Sequence, residues 1–340
     1  MGAKPVERYK ALCTVVIDTG TGHTRSGLAR DQQPQSMVPS QAGSSPVLTH
    51  SMVTEWDGLE ELGHRILYRE LGVCPEEVVV LAMDALLSPT TNQEKAAELL
   101  FKGFGVPAML VLPCSLLAAY SYGRTASAVV GCGVGISYVA GVQEGYTLPH
   151  TTFRLDAAGD ALTLYLGRLL GSPGIHPGAE TLALLEGDLL PHPARGWGPG
   201  GALPLTLPGA SGLLLGDERF CCPEALLAPD APGLPGLGLL EQAAHSLRCC
   251  GGPLAAPHLL LPGGTTLLHS FPWRLAAELG VPPRSRAPPP RSRLAGHLTG
   301  RLPRRLPGCM GAMGHLRGGR PHRRAPPLLL TPIKGWGGAI

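Results

Sequence analysis

The sequence predicts an α/β protein of two lobes, each opening on a strand, a glycine turn and a second strand. Three observations carry this. Val15-Val16-Ile17 runs into Asp18-Thr19-Gly20-Thr21-Gly22, an apolar strand feeding a tight turn. Ala128–Val130 and Ser137–Val142 bracket a second glycine-rich turn at Gly131, Gly133 and Gly135. Segments of helical spacing separate the two hairpins, and 340 residues are enough for each lobe to bury its own core.

The elements follow in order. Residues 12–40 read as a meander of short strands. Trp56, Leu59, Leu62, Ile66 and Leu67 recur at helical spacing over 55–71, and Ala96, Ala97, Leu99 and Leu100 do so over 91–104. Glu77–Leu81 and Met109–Leu112 are apolar runs behind a turn or proline signal, the pattern of buried strands. Residues 114–122 read as a short apolar helix, and His258–Leu261 as a strand leading to Gly263-Gly264-Thr265-Thr266.

The first turn has the chemistry of a phosphate cradle. Glycines let backbone N–H groups approach an anion without a side chain in the way. Asp18 is placed to hold a metal-bound water, Thr21 to donate to a phosphate oxygen and Arg25 to neutralise charge. By itself the pattern is common, since any strand–turn–strand hairpin can carry it.

Beyond the turn, a series of motifs resembles the actin family. Ser26-Gly27-Leu28-Ala29 and Val38-Pro39-Ser40 come first, then Val53-Thr54-Glu55-Trp56-Asp57 and Leu71-Gly72-Val73-Cys74-Pro75-Glu76-Glu77. Pro107-Ala108-Met109, Gly123-Arg124-Thr125 and Glu144-Gly145-Tyr146-Thr147-Leu148-Pro149-His150 follow in family order. Arg154-Leu155-Asp156-Ala157-Ala158-Gly159, Glu218-Arg219-Phe220-Cys221-Cys222-Pro223-Glu224 and Gly263-Gly264-Thr265-Thr266 complete the series. The resemblance covers residues 12–280. It implies the two-lobed, duplicated ribonuclease-H-like fold of actin, with residues 1–120 as the first lobe and 121–280 as the second. Residues 171–240 are rich in glycine and proline, and 281–340 form a basic Pro/Arg/Gly-rich tail expected to lack structure. Actin-like proteins insert an outer subdomain between Pro39-Ser40 and the segment that begins at His50. Only residues 41–49 stand there, so this subdomain is expected to be missing.

The resemblance also implies a nucleotide site. In actins, ATP and a divalent metal lie between the two glycine turns, and hydrolysis needs acidic residues, a water-positioning Gln and a His. The corresponding residues here are Asp18, Gly20, Thr21, Gly22 and Arg25, then Gly133 and Gly135, then Gly263, Gly264 and Thr265. Both carboxylates of the family's second turn are replaced, by Gly131 and Val134. The Gln falls at Cys114 and the His at Tyr138. The helix that would contact the adenosine falls near 180–190 and offers no Lys or Arg. A site so reduced is read as vestigial, with no catalytic residue, no metal and no resident cofactor; weak ATP binding with a divalent metal is the alternative. The glycines then serve to keep two hairpins tight.

Composition adds limits. Residues 1–280 carry 25 acidic and 16 basic side chains, while 281–340 carry 12 basic and no acidic ones. An acidic body argues against nucleic acid as its partner; the tail alone offers non-specific affinity for an anionic polymer. No aromatic residue interleaves the arginines before Trp336, so base stacking is not suggested. An abrupt end to the resemblance after Gly280 also fits a spliced or frame-shifted tail. Nine cysteines lie without a C-x-x-C spacing, which points to reduced thiols. The N-terminus is polar and no apolar run reaches spanning length, so neither a signal peptide nor a membrane span is expected.

The reading is therefore a non-catalytic actin-like protein of the cytoplasmic cytoskeleton, closest in character to the divergent actin-like proteins of male germ cells. Its partners are expected to be cytoskeletal or scaffold proteins, and it is not expected to form filaments alone. A residual ATP-binding switch and a nuclear actin-like scaffold are the alternatives. Loss of the family's closing segment predicts an apolar seam on the first lobe, formed by Trp56, Leu59, Leu62, Leu99 and Leu100.

Overall fold

The computed structural model describes residues 12–29, 31, 33–169, 203–205, 213–216, 218–227, 238–251, 258–268, 271–280 and 329–330. The chain divides into two compact units, residues 1–125 with 290–340, and residues 126–289.

The first unit is built on a mixed sheet. Strands β1 (Cys13–Thr19), β2 (His23–Leu28) and β3 (Ser36–Pro39) form the antiparallel meander that the sequence indicates. Next come two small hairpins, β4 (Gln41–Ala42) with β5 (Ser45–Pro46) and β6 (Leu48–Thr49) with β7 (Met52–Val53). Helix α1 (Trp56–His64) leads to β8 (Val78–Asp84), which pairs parallel to β1. Helix α2 (Thr90–Glu98) leads in turn to β9 (Ala108–Pro113), parallel to β8, and α3 (Cys114–Ser121) follows at once. Leu329–Leu330 (β17 in the full order of strands) add antiparallel to β9 opposite Leu110 and Met109. The sheet order is β17-β9-β8-β1-β2-β3, which puts β1, with its apolar Val15 and Val16, in the middle.

Both helices end the same way. α1 and α2 widen into π turns at Arg65–Glu70 and Leu99–Gly103. Val73 N–H then bonds Leu67 O and Val106 N–H bonds Leu100 O, across Gly72 and Gly105 at φ +60° and +69°. The wide turns bring Leu67 and Phe104 into one core with Val15, Val80 and Met109.

That packing corrects one expectation. The residues expected to form an exposed seam are used within the unit. Leu62 is buried with Val38 and Ile66, and Leu59 packs on the same cluster. Leu99 and Leu100 pack against the core beneath the sheet. Trp56 is half-buried, with Lys95 Nζ 5.3 Å from its ring centroid.

The second unit repeats the design. β10 (Ser127–Cys132) and β11 (Ser137–Gln143) form the second hairpin, β12 (Tyr146–Thr147) and β13 (Phe153–Leu155) pair with β11, and β16 (Leu259–Leu260) runs parallel to β10. Leu203–Leu205 (β14) and Leu213–Leu215 (β15) make a separate ribbon. Helices α4 (Gly159–Leu169), α5 (Glu218–Leu227), α6 (Leu239–Cys249) and α7 (Phe271–Glu278) supply Leu162, Leu166, Leu226, Leu239, Phe271 and Leu275 to the core under Val130 and Val139. Most of residues 171–240 and the rest of the 281–340 tail lie outside the described residues, and the expectations for them with it.

Candidate functional site

The first glycine turn is braced from inside its own unit. Asp18 pairs in register with Arg25, and Thr19 with Thr24, leaving Gly20–Gly22 as the loop before β2. The loop is close against the backbone, since a Cβ on Gly20 would lie 3.0 Å from the His23 carbonyl oxygen. Ser40, just after β3, donates its hydroxyl to Gly20 O at 2.6 Å, shares a 2.7 Å hydrogen bond with Thr24 Oγ1, and bonds Gly22 O through its N–H. The Ser51 N–H donates to Thr21 Oγ1 at 2.8 Å, and the two hydroxyls lie 3.0 Å apart. Ser51 and His50 both have positive φ, at 56° and 48°. Two consecutive non-glycine residues in that region cost conformational energy, so the contact with Thr21 is one the surrounding structure enforces.

Asp18 is the carboxylate that the resemblance matches to the family's metal site. It is 4% exposed, and Arg25 Nη1 approaches its Oδ2 at 3.5 Å. Burial raises its pKa to about 6, and the nearby guanidinium only partly offsets this. A carboxyl in that position is a poor anchor for a cation's water shell, because it is buried and already faces the positive charge of Arg25.

The second turn lies in the other unit. Cys132 and Ser137 close the hairpin, and Gly133 N–H bonds Ile136 O. The turn's carbonyls point to partners. Gly133 O accepts from Thr265 Oγ1 at 2.7 Å and from Gly159 N–H, while Val134 O accepts from Asp160 N–H. Thr265 and Gly133, two of the candidate residues, are therefore bonded to each other. Gly263, at φ +105°, packs so close to Cys132 that a Cβ would overlap its carbonyl. Next to it, Gly264 has open space. Gly135 lies in the turn, beside the 38% exposed Val134.

Of the positions where the family carries catalytic groups, Cys114 is buried at the start of α3, and Tyr138 is buried on β11. Burial pushes the thiols of Cys132 and Cys222 up to about 12, which leaves them protonated. Residues 180–190, where the adenosine helix was expected, lie outside the described residues. No cluster of three or more metal-ligating side chains occurs among the described residues, and no described helix is long and apolar enough to cross a membrane. Sequence reasoning did not find the bracing by Ser40 and Ser51, although both lie in or beside motifs that it singled out.

The comparisons with known proteins agree on a family. The family model described as Actin matches residues 43–180. The chain is 33% identical to actin-like protein 7A of Mus musculus over 326 aligned positions, covering 82% of this chain and 72% of the relative. It is 33% identical to actin-like protein 7B of Mus musculus, covering 82% and 76%. Human actin-like protein 7B matches at 33%, over 83% of this chain and 77% of its own. Set beside the two glycine-turn hairpins and the mixed sheets of each unit, these similarities place the chain in the actin family, as a divergent member.

Proposed function

We propose that this protein is a non-catalytic actin-like structural and interaction protein of the cytoskeleton, working through protein–protein contacts in the cytoplasm with a degenerate ATPase site. The observation that carries the reading is the donor set. Of the acidic residues that would anchor a metal's water shell, only Asp18 is present, and it is buried against Arg25. Gly131 and Val134 offer no oxygen ligand from a side chain. The residues present do not fit a divalent metal, and so no hydrolytic step is assigned.

A second line of support concerns the turns themselves. Thr21, Gly20, Gly133 and Val134 are engaged by Ser51, Ser40, Thr265 and the start of α4. These contacts give the glycines a structural purpose that needs no nucleotide.

We also read the outer subdomain of the first lobe as missing. Residues 41–53 form two hairpins with strands of two residues each, too little chain to build a subdomain.

The test is turnover. Purified full-length protein with ATP and Mg²⁺ should release phosphate no faster than buffer. Turnover above background that Asp18→Ala abolishes would overturn the reading and favour an active switch.

A further inference from the structure

We propose that Tyr138 fills, from within the second unit, the space that a carboxylate at residue 131 would occupy, so that this turn is closed to a divalent cation. The inference rests on the reading above and adds a residue-level cause to it.

The geometry is a cross-strand exchange. Gly131 on β10 and Tyr138 on β11 face each other in register. Side chains directly opposite on an antiparallel pair share one face, with Cβ atoms roughly 4.5–5.5 Å apart. A Cβ added to Gly131 would run into the Tyr138 ring, overlapping Cζ and Cε1 and standing 2.6 Å from the hydroxyl oxygen. These are the distal ring atoms, so the ring lies flat over the position of residue 131. Tyr138 is 8% exposed, which leaves it little room to swing into solvent.

Two further features act in the same direction. On the far side of β11 the residue in register with Tyr138 is Arg154 on β13, held by Asp156 at 2.7 Å. The ion pair keeps that neighbouring position filled by two engaged side chains. At the other carboxylate position, Val134 presents an apolar side chain to solvent.

The dependence runs one way: tyrosine at 138 requires glycine at 131, so a side chain fits at 131 only when the distal ring is gone. An anion meeting this turn is therefore held without a metal, or is not held.

A double-mutant cycle with a nucleotide titration tests this. Gly131→Ala alone should lower the unfolding midpoint by about 5 °C or more, through overpacking. In a Tyr138→His background, which lacks the distal ring atoms and hydroxyl, the same Gly131→Ala change should cost less than half as much. Equal cost in both backgrounds overturns the proposal. Fluorescent ATP is then titrated into the wild-type protein with Mg²⁺ and with EDTA. No binding in either buffer supports both this inference and the nucleotide-free reading. Binding indifferent to Mg²⁺ upholds the closed turn while overturning that reading. Binding strengthened tenfold or more by Mg²⁺ overturns the inference.

Discussion

Burial and pairing pull Asp18 in opposite directions, and burial wins. Its pKa of about 6 lies above the ordinary 3.8, because the desolvation of a carboxylate inside β1 exceeds what Arg25 returns across 3.5 Å. The sign of the consequence follows from proton counting. Between about pH 4 and pH 6 the folded state keeps a proton that the unfolded chain has released, so stability falls as pH rises through that window. The effect amounts to about 3 kcal/mol at most, and it comes from burial of the carboxylate, since the attraction of Arg25 works against the shift. Thermal melts should therefore give a higher midpoint at pH 5 than at pH 7. Asp18→Asn should flatten the difference and match or exceed the wild type at pH 7. An unchanged slope in the Asn variant would show that other groups set the pH response.

At the scale of elements, the two neighbouring glycines after β16 separate backbone necessity from mere tolerance. Gly263 has φ +105° and would drive a Cβ into the Cys132 carbonyl, the joint at which β16 meets β10. Gly264 has φ −65°, and its Cβ position is open. Gly263→Ala should cost about 3 kcal/mol or more in chemical denaturation, and Gly264→Ala about 0.5 kcal/mol or less. Comparable losses would mean that the motif is kept for something other than packing. The same scale shows what could be read from sequence. Apolar periodicity sufficed for β8, β9, α1 and α2, because in each the pattern of burial is set locally, by residues three, four or two positions apart. The contacts that characterise the site are not local. Ser51 reaches Thr21 across 30 residues, Thr265 reaches Gly133 across 132, and Tyr138 covers Gly131 only because the hairpin closes between Cys132 and Ser137. The expected seam failed for a related reason. Leu62, on α1, packs with Val38 and Ile66, and Leu99 and Leu100, in the second π turn, pack on the first unit's own core.

For the whole molecule, the question is whether copies of this chain can join end to end. Among the described residues, each unit has a buried apolar core of its own. In actins, by the family resemblance, the outer subdomain offers a loop that the next subunit grips along the filament. Here the chain passes from β3 to α1 through residues 40–55, and its apolar Val47 and Leu48 turn inward. Ser40 and Ser51 hold the first glycine turn, Val47 and Leu48 are buried, and Thr54 and Glu55 bond Val47 O through their N–H groups. The residues it exposes are the Gly43-Ser44-Ser45-Pro46 tip together with Gln41, Thr49, His50, Thr54 and Glu55, mostly small or polar side chains with little apolar area to bury. An interface there would fall far short of the roughly 1,200–2,000 Å² that specific contacts need. The purified protein should accordingly stay in the supernatant when salt and Mg²⁺ sufficient to polymerise actin are added and the sample is sedimented. Ordered helical filaments in electron micrographs would show that another surface replaces the missing contact.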